Sequence, residues 1–414
     1  MKALFAVLLA GSVTVAVAGE PVVATPQWQT ANSTSTGDQD VPSIAANRHG
    51  YVAVVWEDDR DTTAPENNDH SDIWLRTFRH GTALYEVKLS AGGGTGVTTW
   101  RHLNPDVGLD DKGNAVVVWQ DDPDGNGFYN IPYRVVSTAG TVTQSGTANS
   151  SSDGQQINPR VAVDPDGAPS GGAVAFTVVW EDTQGSNPAT VKAAGYTAPA
   201  TRAYEVTVSQ TTQPAGQHHH PDVAVSAAGD AYVVWDDDGD ANGDHNIGLA
   251  HLSKGGAVSS RTVANSVTAG QQTRPSVEAT FNGEFAVAWQ STHTGTAGVW
   301  TRSFADGGAA RHAEVDTAAG GLGPSLGLDE QGGVVVVWNV PSTQDIWVRG
   351  LNPDGTDTGR LAAQPLMNLP AGSQVGGVVA VSPYGEVSVA YADDNDGNTW
   401  DQIYLAVGVV NTGW

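Results

Sequence analysis

The sequence predicts an all-β fold: a seven-bladed β-propeller of four-stranded antiparallel blades, closed by the N-terminal strand completing the last blade. Three observations carry this expectation. A short apolar strand ending in an aromatic residue recurs along the chain, as "YVAVVWED", "AVVVWQDD", "FTVVWEDT", "AYVVWDDD", "EFAVAWQS", "VVVVWNVP" and "EVSVAYAD". These segments place Trp56, Trp119, Trp180, Trp235, Trp289, Trp338 and Tyr391 in register. Period-2 alternation, Val/Ile/Trp/Tyr enrichment and Gly/Asp/Asn/Pro punctuation read as strand throughout, with almost no helix. Finally, the last repeat lacks a fourth strand that the beginning of the chain can supply. A repeat of four antiparallel strands at this period is the signature of a propeller blade; a two-sheet sandwich or a solenoid is the competing architecture.

The elements follow in chain order. Residues 1–18 combine Lys2, the apolar run Ala3–Ala10 and the ending Ala16-Val17-Ala18, which read as a secretory signal cleaved near Ala18. The expected location is therefore secreted or periplasmic. Residues 19–414 read as one propeller domain, with no later apolar run long enough to span a membrane. "PQWQTANSTSTGDQDVP" near the start matches the internal fourth strand and link "TVTQSGTANSSSDGQQINP". Each blade then opens on an inner strand with Pro at its head, such as "PSIAANRHG" and "PDVGLDDKG", except the seventh, where Gly377 fills the Pro slot. The Trp strand comes second, an acidic loop follows, and a third strand of the type "DIWLRTF" comes next. A variable fourth strand ("YEVKLS", "YEVTVS") ends the unit, and the last repeat stops after its third strand, "QIYLAVGVV".

The chain carries a formal net charge of −26, and only 19 of its residues are Lys or Arg. Such a surface repels nucleic acid, whose binding depends on neutralising phosphates, and equally an anionic membrane. It suits cations and basic or neutral partners. There is no cysteine, so closure of the ring must replace disulfides. The blade pattern V-V-W-x-D-D…D-I resembles exported seven-bladed propeller repeat proteins of the broad TolB-type and surface-layer group. That resemblance covers the whole of residues 19–414 and implies a scaffolding or binding role rather than a chemistry.

Propeller geometry puts two loop sets on one face: the loop leading into each inner strand and the loop after each Trp strand. Three positions before the Pro slot stand Gln39, His102, Gln156, His218, Gln272, Gly321 and Gln374. Amides and imidazoles in such a ring would form a rim for a glycan or peptide, or would lock each loop by packing. At offsets 3, 5 and 7 from the aromatic residue lie Asp122, Asp124 and Asn126, then Asp238, Asp240 and Asn242, then Asp394, Asp396 and Asn398. Alternate carboxylates followed by an amide and Gly resemble the opening of calcium loops. Calcium is therefore the one cofactor expected, with Asp244 as a further ligand. The bidentate Glu of an EF-hand is missing, however, and a solvated Asp/Asn/Gly turn is the competing reading. A further Asp stands two after the aromatic residue in five blades, and Arg76, Arg134, Arg302 and Arg349 share a third-strand slot.

No nucleophile elbow, P-loop or H-E-x-x-H motif occurs. Two functions remain. One is an acidic scaffold binding an extracellular protein or glycan. The alternative is a glycan-cleaving enzyme, sialidase-like or another hydrolase or lyase, with its site at the channel mouth. The run "QHHHPD" places His218 and His220 on one side of an extended strand and His219 on the other. His218 and His220 together offer half a metal site, and blade four, with this run and a rich acidic loop, is the expected binding sector.

Overall fold

A computed structural model describes residues 27–411, except 61–70, 92–100, 167–173, 185–187, 198–199, 211–215, 360, 367–372 and 395–399. The expected leader, residues 1–18, lies outside the described residues. The fold is all-β, with seven sheets of four antiparallel strands around one axis. The inner strands are Gln39–Ala46, Arg101–Leu109, Gln155–Val163, Gln217–Val225, Gln272–Ala279, Leu322–Leu328 and Gln374–Val381, and they define blades one to seven. No described helix is long and apolar enough to cross a membrane.

Closure occurs as the sequence predicts. Strand Gln27–Thr30 pairs antiparallel with Gln402–Asn411 as the outer strand of blade seven. The second residue past this strand, Asn32, is then stapled: Ile403 N–H donates to Asn32 Oδ1 (3.0 Å), and Asn32 Nδ2 donates to Gln402 Oε1 (2.6 Å) and Gln39 Oε1 (3.0 Å). One buried amide thus ties both termini of the ring to the first link. The device repeats internally with Asn149 on Ile131 N–H (2.8 Å) and Asn265 on Ile247 N–H (2.7 Å).

The hydrophobic core is not central. It is seven layers, each between neighbouring blades. The layer between blades one and two, for example, joins Val55, Ile73 and Leu75 to Val107, Val117 and Trp119. Each repeat's Trp faces the preceding blade, which is why the aromatic residue recurs: every interface needs one large plug. In two blades the indole N–H donates to the Asp two residues on, Trp56 to Asp58 (2.8 Å) and Trp235 to Asp237 (3.2 Å), whereas the buried Trp119 and Trp180 indoles make no such bond.

The third-strand arginines do not pair with those aspartates as a rule. They clamp main-chain carbonyls of the preceding blade: Arg76 on Ala31 (2.8 Å), Arg302 on Ala264 (2.9 Å) and Arg349 on Thr317 (2.8 Å). Arg134 instead bonds the Tyr133 carbonyl (2.9 Å).

Candidate functional site

Every inner strand breaks register at the same place, just before the Pro slot. The residue there adopts a left-handed backbone in all seven blades: Val41, Asn104, Asn158, His220, Arg274, Gly323 and Gly376, with φ between 46° and 63°. Outside glycine and asparagine this conformation is strained, most of all for β-branched Val41. The bulge aims the residue's N–H at the preceding blade. Asn104 N–H donates to Glu57 (2.6 Å), Asn158 to Gln120 (3.2 Å), His220 to Glu181 (2.7 Å) and Arg274 to Asp236 (2.6 Å). These residues form the lip of the axial channel.

Below the lip the inner strands enclose a cavity of about 400 Å³. The residue after the Pro slot stitches neighbouring blades: Asp106 accepts from Val161 N–H (2.7 Å), Asp222 from Val277 N–H (2.8 Å), and the Ser276 and Ser325 hydroxyls from Leu326 and Val379 N–H (3.1 Å each). Ser43 donates to Asp106 (2.6 Å). Two residues further in, six blades carry Ala or Gly: Ala45, Gly108, Ala162, Ala224, Gly327 and Ala380. The layer is tight, since a Cβ on Gly108 would lie 2.6 Å from Val163 Cγ2. Blade five alone places a carboxylate there, Glu278. Glu278 is open to the lumen but ringed by protein. Enclosure, then the charges of Asp222 and Asp106, push it up to about 8. Enclosure likewise raises Asp222 to about 7, opposed by Arg160 and aided by Asp106.

The Gln/His ring lies outside this channel and is spent on its own loops. Gln39, His102, Gln156, His218, Gln272 and Gln374 are all buried. Gln156 donates to Asp153 O (2.9 Å) and Gln272 to Ala269 O (2.8 Å). Across the sheet each faces the residue two after the aromatic one: Gln39 opposite Asp58, His102 opposite Asp121, Gln156 opposite Asp182, His218 opposite Asp237 and Gln374 opposite Asp393. His102 Nδ1 bonds Asp121, and His218 Nδ1 lies 2.8 Å from Asp237 Oδ1. Blade five has Ser291 opposite Gln272, and blade six, with Gly321 in the ring slot, has Val340 in the Asp slot. The two repeated positions are one cross-strand pair.

The acidic loops close on themselves. Asp122 accepts from Asn126 N–H (3.0 Å) and Gly127 N–H (2.9 Å), and Asp124 accepts from Asn126 Nδ2 (2.8 Å). The fourth blade reproduces this: Asp238 accepts from Asn242 N–H (2.9 Å) and Gly243 N–H (3.2 Å), Asp240 from Asn242 Nδ2 (2.9 Å), and Asp244 N–H donates to Asn242 Oδ1 (2.7 Å). In the seventh, Asp394 is described, whereas Asp396 and Asn398 lie outside the described residues. Among the described residues no three carboxylate or imidazole side chains converge as metal ligands. In this conformation the carboxylates cap their own turns. Melting with and without a calcium chelator tests the calcium expectation: a fall in Tm on chelation assigns calcium to these loops, and an unchanged Tm assigns them to self-capped turns.

The histidine run divides among three carboxylates. His218 turns inward to Asp237, His219 Nδ1 meets Glu181 Oε2 (2.9 Å), and His220 Nδ1 meets Asp236 Oδ2 (2.7 Å). His218 and His220 do not share a side. The left-handed turn at His220 breaks the alternation that an extended strand would impose, so the expected two-histidine site is not assembled. His218 is fully buried, while the His220 side chain is 47% exposed on the lip. Of the lip positions the sequence reading named only His220; the others were missed, although the position had a signal. Asn or Gly, the residues that tolerate a left-handed backbone, precede the Pro slot in four of the seven repeats.

No family model matches the chain, and no curated protein matches it by sequence. Solved structures do match in fold. A protein of unknown function from Dyadobacter fermentans superimposes with a TM-score of 0.53 at 12% identity, over 92% of this chain and 97% of its own. A polysaccharide lyase gives 0.52 at 11% identity, over 91% of this chain and 90% of its own. An α-L-arabinanase from Penicillium chrysogenum, solved with arabinobiose, gives 0.50 at 10% identity, over 75% of this chain and 94% of its own. At these identities the likeness is one of fold: this chain is a seven-bladed β-propeller whose axial mouth carries polar residues that differ between blades.

Proposed function

We propose that the protein is an exported propeller that binds a glycan over the mouth of its axial channel. The observation that carries this is the asymmetry of the lip. Packing residues repeat with the blade, as the Gln/His–Asp pairs do, because each blade faces the same neighbour. The lip does not repeat: Asn104, Asn158, His220 and Arg274 make a polar arc on blades two to five, while blades six and seven present Gly323 and Gly376. Side chains tie the arc together. Asn104 Nδ2 donates to Asn158 Oδ1 (3.2 Å), and Asn158 Nδ2 donates to Glu181 Oε1 (2.7 Å). Amides, an imidazole and a guanidinium around a concave opening are the donors and acceptors with which proteins orient sugar hydroxyls. Two fold relatives, the arabinanase and the polysaccharide lyase, are glycan-active by name, a fold-level analogy that supports the choice of ligand.

A glycan and peptide array, followed by calorimetry on the best hit, tests the reading. Arg274→Ala is expected to weaken binding roughly tenfold, about 1.4 kcal/mol. Tyr384→Ala, on a 69% exposed residue in the hairpin between the inner and Trp strands of blade seven, is expected to leave binding unchanged. Recognition of peptides in place of glycans would replace this reading with a protein-binding one.

A further inference from the structure

We infer that the lip between blades four and five is a catalytic site that cleaves a uronate-containing polysaccharide by β-elimination, with His220 as the base. This rests on the glycan reading above and assigns it a chemistry. The starting point is Asp236, a buried carboxylate that holds two lip residues at once. Its Oδ2 bonds His220 Nδ1 (2.7 Å) and its Oδ1 accepts the Arg274 N–H (2.6 Å). Glu181 and Gln120 likewise bridge two lip residues, but only Asp236 joins an imidazole ring to the arginine's lip position: the other lip residues are Val, Asn or Gly.

The Asp236 bond fixes the His220 tautomer. With Nδ1–H directed at the carboxylate, Nε2 keeps its lone pair, the arrangement that turns an imidazole into a general base. Among the described residues Nε2 has no hydrogen bond, and the ring stands half exposed at the rim of the cavity. The Arg274 guanidinium likewise has no partner among the described residues. An unspent cation is notable in a chain with 45 Asp and Glu. The structure has already supplied carboxylates to Arg48, Arg60, Arg202 and Arg311.

A base and an unspent cation carried on two lip positions that share Asp236 match one glycan reaction. Arg274 pairs with the uronate carboxylate and stabilises the charge that develops on it when the adjacent carbon loses its proton. His220 Nε2 takes that proton. The electron pair of the C–H bond becomes the new C=C bond, conjugated to the carboxylate. The neighbouring C–O glycosidic bond breaks with its electron pair on oxygen, and the imidazolium returns the proton to that oxygen. No water, metal or oxidant is consumed. Asp236 is a positioning residue: it holds the tautomer, stabilises the imidazolium and touches no substrate. The chain's net negative charge opposes an anionic polymer at long range, but beyond about 8 Å that field is screened at physiological ionic strength.

The test uses the full chain with polygalacturonate, alginate and a glycosaminoglycan, followed by the ultraviolet absorbance of an unsaturated uronate. Absorbance is expected to rise with at least one polymer. His220→Asn retains a residue that accepts the left-handed backbone, as Asn104 and Asn158 do, so it keeps Tm. It is expected to lose about 100-fold or more in rate. Arg274→Gln should act chiefly on KM, and Asp236→Asn should lower kcat with little change in KM, a split that loss of packing would not produce. No unsaturated product from any of the polymers overturns the inference, as does cleavage by His220→Asn at the wild-type rate. Binding without cleavage leaves the glycan reading standing and removes only this one; absence of binding removes both.

Discussion

Deleting residues 27–32 is expected to abolish cooperative folding, the largest effect of any change of this size in the chain. The deletion removes the outer strand of blade seven together with Asn32. It exposes the edge of Gln402–Asn411 as an unpaired strand, a template for aggregation. It also strips the Ala31 carbonyl from Arg76 and the Ala31 N–H from Ile403 O. Without disulfides the ring has no covalent closure, so blade one is left with only its packing layer and the bonds of Asp38 and Gln39 to Asp401 as a tie to blade seven. Asn32→Ala isolates the staple. It strands the buried Ile403 N–H and the Gln39 and Gln402 amide oxygens, at about 1–3 kcal/mol for each group left unsatisfied. Thermal melting and limited proteolysis read both variants. The deletion should unfold or precipitate; Asn32→Ala should stay folded with a lower Tm. A deletion variant that melts like wild type would show that blade-to-blade packing closes the ring by itself.

The second large expected effect is that stability falls as pH rises from about 4 to about 8. Glu278 and Asp222 have folded-state pKa values raised to about 8 and about 7. The native state therefore holds protons that the unfolded chain releases near the ordinary carboxylate range, and raising the pH through that window favours unfolding. The penalty is absent below the unfolded pKa values and complete above the folded ones. Burial raises Asp40 and Asp164 to about 7 and Asp393 to about 6 in the same direction, and Glu278→Gln removes one of these titrations. It should raise Tm at pH 8, leave Tm at pH 4 nearly unchanged and flatten the profile between. Because Glu278 is open to the lumen, water and counter-ions moderate the gain. A variant less stable than wild type at pH 8 would instead give the Glu278 carboxylate a stabilising partner in the channel.

The sequence carried the architecture because a propeller is written in local, repeated terms. Trp56 through Tyr391 mark one plug per interface, and the match between "TANSTSTGDQDVP" and "TANSSSDGQQINP" located the closing strand before any contact was known. The same regularity left function open, because in sequence a recurring position serves the blade and a ligand equally well. In the structure Gln39 and Gln156 bond their own loops, and Asp122 and Asp238 cap their own turns. The informative positions were those that change from blade to blade.

The sequence by itself determined the number of blades, the strand order, the face bearing the loops and the closing strand, since each depends on patterns within a single repeat. Only the tertiary structure decided where "QHHHPD" points. His219 and His220 are oriented by Glu181, from the preceding blade, and by Asp236, across the sheet. The left-handed turn that separates His220 from His218 belongs to the bulge that recurs before every Pro slot, and the bond to Glu181 holds it in this blade. Glu278 is equally silent in sequence, a lone acidic residue in a strand. It acquires meaning only when seven inner strands converge and leave it facing Asp222 and Asp106 in an enclosed channel. Local patterning specifies elements; convergence of residues some fifty positions or more apart specifies the electrostatics of a site.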